Sequence, residues 1–330
     1  MRTLVLGAGA SFHVGYPLTK NLGTKLIDWI ARNPRDRIDW IDAAEIRSLF
    51  PSLEDIEQVI SELQNPAPGS PVNNLPKWKR GSLLAGIREG LCEYFDTVRP
   101  NPARLYRELG ETVLSPGDAV ITFNYDVSLE AELYKAGKWH IGNGYGFLLG
   151  DGITPLSSVQ VLKLHGSTSW IDILFDGARG GDYGAVGPDG ALGTRPLILP
   201  QYFDLFGYPP EVRDPQFRGG GATRVGSMIL PARSKVFEAR SLFWDHLWSQ
   251  AAEALSNAAE IAIIGYSLAP ADERARDLIL GASNKRASIS ICCGGDNARI
   301  TKEFAAAGFS SVESSLPYFQ DWLTALKDTH

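Results

Sequence analysis

The sequence predicts an α/β fold, in which a parallel sheet carries helices on both faces. Four short runs of apolar residues are continuous rather than alternating, which is typical of strands buried on both faces. Helical patterns follow several of these runs, and each run ends in small or polar residues. This alternation of strand and helix indicates a layered α/β architecture.

The individual elements follow from the same patterns. The predicted strands are residues 3–7, 119–123, 161–164, 261–265 and a weaker, β-branched run at 288–293. Apolar residues on one stripe indicate the first helix, Ser52 begins a stretch that resembles a capping box, and Gly137 suits a left-handed helix cap. The predicted helices are residues 20–31, 53–63, 127–136, 242–255, 298–307 and 316–326.

Two stretches interrupt the alternation. Residues 31–116 are too long for a simple crossover and contain helices with proline-rich joints, so we expect an inserted helical module. Residues 171–235 are rich in glycine and proline and form either a small β insertion or loops over a site. Within them, 177–195 is expected to act as a mobile lid. We expect residues 1–330 to be a single domain with these insertions.

Charge and hydropathy exclude several classes of protein. The formal net charge is −6, so we expect no direct binding to nucleic acid. No run of 18 apolar residues is present, so no membrane-spanning helix is expected. The apolar stretch at 4–10 is short for a signal peptide, and a buried first strand explains it better.

Cysteine usage favours a reducing compartment. The chain has only Cys92, Cys292 and Cys293, and no two of them have C-x-x-C spacing. This excludes a disulfide-built fold and a four-cysteine zinc ribbon. We therefore expect a cytoplasmic protein without a metal site.

The first candidate site is the turn after the first strand. It consists of Gly7, Ala8, Gly9, Ala10 and Ser11. Glycines allow a ligand to approach the backbone, and amides at a helix N-terminus favour a phosphate. The turn departs from the dinucleotide fingerprint because Phe12 replaces the third glycine. A turn needed only for packing is the alternative.

Polar side chains end the second and third strands. Thr122, Asn124 and Asp126 stand at a carboxyl strand end, where open α/β sheets bind ligands. Their side chains could form hydrogen bonds with ribose hydroxyls or a carboxamide. The alternatives are that Asp126 caps the following helix and that Asn124 satisfies a turn. His165 follows the third strand beside a glycine, and it suits either acid–base chemistry or a structural role.

The last two strand ends add further candidates. Gly265 and Ser267 follow the fourth strand and suit a phosphate or ribose near the backbone, while Asp296 and Asn297 suit a second ribose. Ordinary turns and helix caps are the alternative for each of them. Motifs for a P-loop, a nucleophile elbow or a zinc protease are absent from the sequence.

The order of these motifs resembles the sirtuin-like superfamily. In sirtuins a GAG-x-S turn, a T-x-N-x-D strand end, an HG dipeptide and a later G-x-S follow one another. Here they correspond to residues 7–11, 122–126, 165–166 and 265–267. Gly15, Tyr16 and Pro17 resemble the G-I-P that follows the family's first turn, and the helical insertion falls where the family places its helical module.

The resemblance implies a Rossmann-like core that binds NAD in an extended cleft. The first turn would hold the pyrophosphate through backbone amides and Ser11. Ser267 would lie near a phosphate or ribose, and Asn297 near the adenosine ribose.

The same resemblance implies the catalytic roles. Asn124 would position the nicotinamide ribose or an attacking water, and Asp126 would contact the carboxamide. His165 would match the family's catalytic histidine and act as a general base on a ribose hydroxyl or on the nucleophile.

The departures from deacylating sirtuins change the expected reaction. The segment after His165 has no cysteine until Cys292, so the family's zinc ribbon is absent. Three motifs are similar to those of prokaryotic sirtuin-like proteins of anti-phage defence. They are ITFNYD, KLHGS with Trp170, and IGYSL with Asp272. Those relatives hydrolyse NAD to nicotinamide and ADP-ribose, as oligomers or with a sensor such as a helicase-like ATPase or an Argonaute-type protein.

The resemblance therefore predicts a metal-independent NAD glycohydrolase of an anti-phage system. We expect a homo-oligomer or a complex with a sensor protein. Two alternatives are a regulatory module that binds NAD or ADP-ribose without turnover, and an NAD-dependent protein deacylase or ADP-ribosyltransferase.

Overall fold

The computed structural model describes most of the chain. It covers residues 1–34, 42–51, 55–98, 104–147, 157–176, 183–186, 197–198, 222–232, 241–269 and 272–327. The strands in these ranges are β1 (Arg2–Leu6), β2 (Ala119–Thr122), β3 (Gln160–Lys163), β4 (Gly166–Asp176), β5 (Tyr183–Val186), β6 (Leu197–Ile198), β7 (Ala222–Met228), β8 (Glu260–Ile264), β9 (Ser288–Cys292) and β10 (Val312–Glu313). The α-helices are α1 (Thr19–Arg32), α2 (Ala43–Leu49), α3 (Ile56–Gln64), α4 (Lys77–Thr97), α5 (Arg104–Glu108), α6 (Ser128–Lys135), α7 (Ser241–Asn257), α8 (Glu273–Asp277), α9 (Asn297–Ala306) and α10 (Phe319–Lys327).

Within the described ranges, six strands form one parallel sheet. Its order is β10-β9-β8-β1-β2-β3, and each neighbouring pair is parallel. Chain order reverses between β1 and β8, as it does in the doubly wound order of Rossmann folds. All of β2 and all but the first residue of β1 are buried, so both faces of the sheet are covered. The predicted Rossmann-like α/β class is confirmed.

The predicted strands form within one residue of their expected bounds. All five end one residue earlier than expected: β1 and β8 before a glycine, β9 before Cys293, and β2 and β3 before apolar Phe123 and Leu164. The sequence did not indicate β10, because this edge strand has only two residues and pairs with Ile289 and Ser290 of β9.

The predicted helices form within three residues of their expected bounds. Helix α3 begins at Ile56, and its N-cap is Asp55, whose carboxylate accepts a hydrogen bond from the Gln58 amide at 2.9 Å. Ser52, where the capping box was expected to begin, lies outside the described residues. Gly137 follows α6 with a φ of +67°, in the left-handed region that the sequence predicted.

Helices connect β1 to β2. The predicted stripe of α1 is buried, and both α1 and α3 pack against α4. The longest of these helices is α4, with 21 residues. None of the described helices combines the length and the apolar character needed to cross a membrane.

A second, antiparallel sheet follows directly after β3. Strand β4 begins at Gly166 and pairs with β5, β6 and β7. Of the two forms left open for residues 171–235, the described part adopts strands. Most of the predicted lid at 177–195 lies outside the described residues, so its mobility stays a prediction.

Candidate active site

Two glycine turns meet at the carboxyl ends of β1 and β8, where the strand order reverses. The Gly9 amide donates to the Gly265 carbonyl oxygen at 2.9 Å. Gly265 has a φ of +61°, and a Cβ there would lie 2.2 Å from the backbone nitrogen of Ala10. A Cβ on Gly7 would lie 2.6 Å from the Cα of Tyr266. Side chains here would force the loops apart, so packing alone already requires these glycines.

A cleft of about 140 Å³ opens beside these turns. The predicted residues that line it are Gly7, Ala8, Ser11, Tyr16, Pro17, Asn124, Asp126, His165, Gly265 and Ser267. The predicted residues that do not line it are Gly9, Ala10, Thr122, Asp296 and Asn297. Segments that are far apart in the chain converge here because parallel strands end at the same edge of the sheet.

Two acceptors orient the Asn124 side chain. Its Nδ2 donates to the Gly7 carbonyl oxygen at 2.8 Å and to Ser11 Oγ at 3.0 Å. A carbonyl oxygen only accepts, so the amide nitrogen must face Gly7. The Asn124 backbone amide donates to Thr122 Oγ1 at 3.1 Å, which gives buried Thr122 a role in shaping this turn. Oδ1 is therefore the atom through which Asn124 can accept a hydrogen bond at the cleft.

Three side chains hold the Ser11 hydroxyl. It donates to Asp126 Oδ2 at 2.7 Å, accepts from Asn124, and lies 2.8 Å from the Tyr106 hydroxyl. A hydroxyl can donate only one hydrogen bond, and Ser11 donates its own to the Asp126 carboxylate. Tyr106 must therefore be the donor to Ser11. A phosphate would have to compete with Asp126 for that hydrogen. The contact of Ser11 with a pyrophosphate stays a prediction.

Asp126 is buried, and both of its carboxylate oxygens are engaged. Oδ2 accepts from Ser11, and Oδ1 accepts from the Ser128 backbone amide at 3.0 Å. The second bond reaches the first residue of α6, although the N-cap position itself is Val127 rather than Asp126. Asp126 thus supports Ser11 and, through it, Asn124. Its contact with a carboxamide stays a prediction.

His165 lies in the turn between the parallel sheet and β4. The residue is only 5% exposed, and its Nε2 lies 3.6 Å from Asp272 Oδ2. The same Asp272 oxygen accepts a hydrogen bond from the Tyr266 hydroxyl at 3.1 Å. A carboxylate at this distance would stabilise the positive charge that appears when the ring takes up a proton.

Aromatic rings wall the cleft around His165. The Phe123 ring lies 4.9 Å from the His165 ring and stacks on Tyr266 with centroids 4.3 Å apart. Burial, and after it the Asp272 carboxylate, raises the pKa of Tyr266 well above its usual range. Tyr266 therefore stays a neutral hydrogen-bond donor to Asp272 at physiological pH.

Arginines hold the loop after β8. Arg299 donates to the Ser267 carbonyl oxygen, and Arg276 donates to the Leu268 carbonyl oxygen at 2.8 Å. Both arginines pair with Glu303, each at 2.6 Å. Leu268 has a φ of +48°, a backbone conformation that residues other than glycine rarely adopt. The surrounding contacts thus impose the shape of this edge of the cleft, at which exposed Ser267 stands.

Asp296 and Asn297 bind protein groups outside the cleft. Asn297 Oδ1 accepts from the Cys293 amide at 2.6 Å, and its Nδ2 donates to the Ser314 carbonyl oxygen at 2.9 Å. Asp296 pairs with Arg299 at 3.0 Å. These contacts hold the segment after β9, and the contact of either residue with a ribose stays a prediction.

Cysteines near the site are protonated at neutral pH. Burial raises the pKa of Cys293 to about 11 and that of Cys292 to about 12. A protonated, buried thiol is a poor nucleophile. In the described part of the chain, no group of three or more His, Cys, Asp and Glu side chains could hold a metal ion.

Sequence reasoning missed several lining residues. Asp272 was noted only as part of the IGYSL motif, and its four-residue distance from Leu268 is the signal that could have identified it. Glu57 and Phe95 come from α3 and α4, where no strand end marks them. A residue that reaches the cleft from an inserted helix carries no local pattern that distinguishes it from its neighbours.

Comparisons with known proteins relate the chain to solved structures. No protein-family model and no curated protein matches it. The chain is similar to a Sir2 homologue in complex with NAD, at 15% identity and a TM-score of 0.46, over 99% of this chain and 89% of that one. It is also similar to Sir2 bound to an acetylated peptide, at 12% identity and a TM-score of 0.42, over 100% and 92% of the two chains.

Proposed function

We propose that the cleft binds NAD and hydrolyses the bond between its nicotinamide and its ribose. One observation carries the proposal: the His165 imidazole, the Asp272 carboxylate beside it and the oriented Asn124 amide line the same cleft. The cleft lies where the strand order reverses, which is the nucleotide-binding edge of doubly wound sheets. The order of sirtuin-like motifs along the chain supports NAD as the nucleotide.

The reaction requires a leaving group, a water molecule and a proton acceptor. The bond between ribose C1′ and the nicotinamide nitrogen breaks, and its electron pair leaves with the nitrogen, so nicotinamide departs neutral. The ribose passes through an oxocarbenium-like state, as in glycoside hydrolysis. The water oxygen bonds to C1′ and the water loses one proton. The products are nicotinamide, ADP-ribose and a proton.

Residues of the cleft match these requirements. Asn124 Oδ1 would accept a hydrogen bond from the attacking water or a ribose hydroxyl and so orient it. His165 would take the proton as a general base, a role that typically contributes 10²–10⁴-fold to a rate. Asp272 would then face the imidazolium and stabilise its charge.

The shape of the cleft suits the reacting end of the dinucleotide. Its volume of about 140 Å³ is below the roughly 300–1,000 Å³ of pockets that enclose a drug-sized ligand. In the proposal it holds the nicotinamide ribose against the Phe123 and Tyr266 rings, whose π faces favour a neighbouring positive charge. The adenosine half would extend toward Ser267, Asp296 and Asn297.

We further propose that this activity serves anti-phage defence. The support is the sequence of the motifs, which is similar to that of the corresponding motifs in prokaryotic sirtuin-like defence proteins. Depletion of NAD would be the effector step, controlled by self-assembly or by a separate sensor protein. Such control predicts that the isolated protein at low concentration is less active than the assembled one.

Chromatography of NAD after incubation with the purified protein tests the proposal. At high protein concentration we expect nicotinamide and ADP-ribose in equal amounts. His165→Ala and Asn124→Ala should each reduce nicotinamide release by at least about 10²-fold, because each removes a group that acts at the reacting bond. His246→Ala is the matched control, since His246 is exposed on α7 and does not line the cleft.

Three results would count against the proposal. Release that persists in both variants under activating conditions would refute the assigned roles. Binding of NAD without any product would favour a regulatory module. Nicotinamide release that requires an added acyl-lysine peptide would favour a deacylase.

A further inference from the structure

A fully buried lysine lies directly behind the site. Lys163 is the last residue of β3, and its side chain is 1% exposed. It forms an ion pair at 2.9 Å with Glu130 of α6, which is 0% exposed. It also donates to the backbone carbonyl oxygen of Asp126 at 2.5 Å. Tyr145 completes the cluster through a hydrogen bond to Glu130 Oε1 at 3.2 Å.

Stability alone does not account for this pair. Both ions lose their hydration in the interior, and their mutual attraction often only balances that loss. Burial raises the pKa of Glu130, and the neighbouring Lys163 opposes that rise. Apolar residues of similar volume often replace such a pair without loss of stability, whereas an apolar residue could not donate to the Asp126 carbonyl oxygen as Lys163 does.

The ion pair joins the segments that carry the two proposed catalytic side chains. Lys163 ends β3 two residues before His165, which lies in the turn that follows, and in the sheet Lys163 is opposite Thr122, at the end of the neighbouring strand. The Asp126 carbonyl oxygen that it contacts lies two residues after Asn124. Lys163 thus ties the strand that precedes the histidine to the segment of the asparagine.

A continuous set of hydrogen bonds connects Lys163 to the Asn124 amide. Lys163 binds the Asp126 carbonyl oxygen, the Asp126 carboxylate accepts from Ser11, and the Ser11 oxygen accepts from Asn124 Nδ2. A displaced Asp126 would let Ser11 move, and the Asn124 amide would then keep only its hydrogen bond to the Gly7 carbonyl oxygen. Misplacement of a reacting group by about 1 Å can cost 10²-fold in rate.

We infer that Lys163, paired with Glu130, is a positioning residue: it holds Asp126, and through Ser11 the Asn124 amide, against the end of the strand that leads into the His165 turn. This inference rests on the proposed function. In this inference the buried Lys163 aligns the segments that carry Asn124 and His165. It requires no contact between Lys163 and the substrate.

The test replaces both charges together, so that neither is left buried alone. Lys163→Met with Glu130→Gln keeps the volumes and removes the donor to Asp126. We expect a folded protein whose kcat for nicotinamide release falls at least about tenfold, while KM changes by less than about threefold. Lys135→Met is the matched control, because it removes a half-exposed lysine that pairs with Glu132 on the helix of Glu130, while Arg107 still pairs with Glu132, and its kcat should be unchanged.

A double-mutant cycle separates positioning from general stabilisation. In a Ser11→Ala background the connection to Asn124 is already broken, so the same Lys163 and Glu130 changes should lower kcat by less than about threefold. An equal loss in both backgrounds, or a folded double variant with kcat within twofold of the parent, overturns the inference. If the double variant does not fold, Lys163→Leu with Glu130→Gln replaces it. If neither folds, the pair serves the fold and the inference is wrong.

Failure of the proposed function is recognised separately. If the parent protein releases no nicotinamide under any condition, the hydrolase proposal fails, and crystal structures of the parent and the double variant test the inference. We then expect Asn124 Oδ1 to shift by about 0.5 Å or more, the tolerance of a preorganised site. An unchanged Asn124 would overturn the inference.

Discussion

At the scale of single residues, hydrogen-bond direction decides what each polar group of the cleft can do. Tyr106 and Asp126 converge on Ser11 from different elements, and together they determine where its single hydrogen points. The sequence placed Asn124, Asp126 and His165 at strand ends, but it could not show these directions. The reason is that Tyr106 lies 95 residues from Ser11 along the chain.

The pairing of His165 with Asp272 leads to a prediction about rate. Asp272→Asn keeps the shape and the acceptor for Tyr266 but removes the charge that would face an imidazolium. We expect nicotinamide release to fall by about 10–10²-fold, part of the 10²–10⁴-fold that a general base contributes. Initial rates across pH measure the effect. Asp245→Asn, at an exposed carboxylate, should leave them unchanged, and equal rates for both variants would contradict the pairing.

His13 leads to a prediction about stability and pH. Burial lowers its pKa below the usual 6.5, while the Ala10 carbonyl oxygen and Asp126 oppose that shift. Between the lowered folded pKa and about 6.5, the unfolded chain binds more protons than the folded one, so stability falls as pH falls through this window. The contribution of His13 is fully present above pH 6.5.

Urea unfolding at pH 7.5 and 5.5 measures that contribution. We expect the free energy of unfolding to drop less on acidification in His13→Gln than in the parent protein, since glutamine does not titrate. An identical drop in both proteins would show that His13 does not contribute to the pH dependence.

At the scale of elements, the strand ends and the turns that follow them build the site. The sequence indicated each buried parallel strand as a continuous apolar run, because such a strand is buried on both faces. It indicated α1 as an apolar stripe, because a helix buried on one face repeats apolar residues at the helical period. Strand β4 was not indicated in this way: it begins at Gly166, directly after the His165 turn, and continues into residues 171–235, for which the sequence left both strands and loops open. Its ladder with β7 is a long-range pairing.

The contact between the two glycine turns leads to a prediction at this scale. Gly265→Ala would put a Cβ against the Ala10 backbone nitrogen at a positive φ. We expect a loss of about 1–3 kcal/mol in the free energy of unfolding, the usual cost of such strain, together with reduced nicotinamide release. Thermal and urea unfolding measure it. Gly81→Ala is the control, since a Cβ there meets no atom within 4 Å, and an equal loss in both variants would contradict the close approach.

At the scale of the whole molecule, the reversal of strand order between β1 and β8 makes the cleft. The proposed ligand would contact segments near Gly7, Asn124, His165 and Gly265, which come together only in the folded protein. A ligand that binds only the folded state must therefore stabilise the whole sheet.

Binding of ADP-ribose tests this consequence without turnover. At a concentration 100 times its Kd, we expect stabilisation of about 2.7 kcal/mol, seen as a rise in Tm. His165→Ala should keep most of the effect, because the adenosine and phosphate contacts remain, and Gly265→Ala should lose it. Absence of any rise in the parent protein at millimolar ADP-ribose would contradict a nucleotide cleft here.

The sequence by itself determined the class of fold, the five longer parallel strands and the strand-end positions of Asn124, Asp126 and His165. It could do so because burial and strand termination leave local patterns of apolar and polar residues. Only the tertiary structure decided that Ser11 donates its hydrogen bond to Asp126, that Asp272 faces His165, and that Glu57 and Phe95 reach the cleft. These facts depend on contacts between distant segments, which the packing of the sheet creates, so a local pattern can mark a residue such as Asp272 but not the partner that it faces.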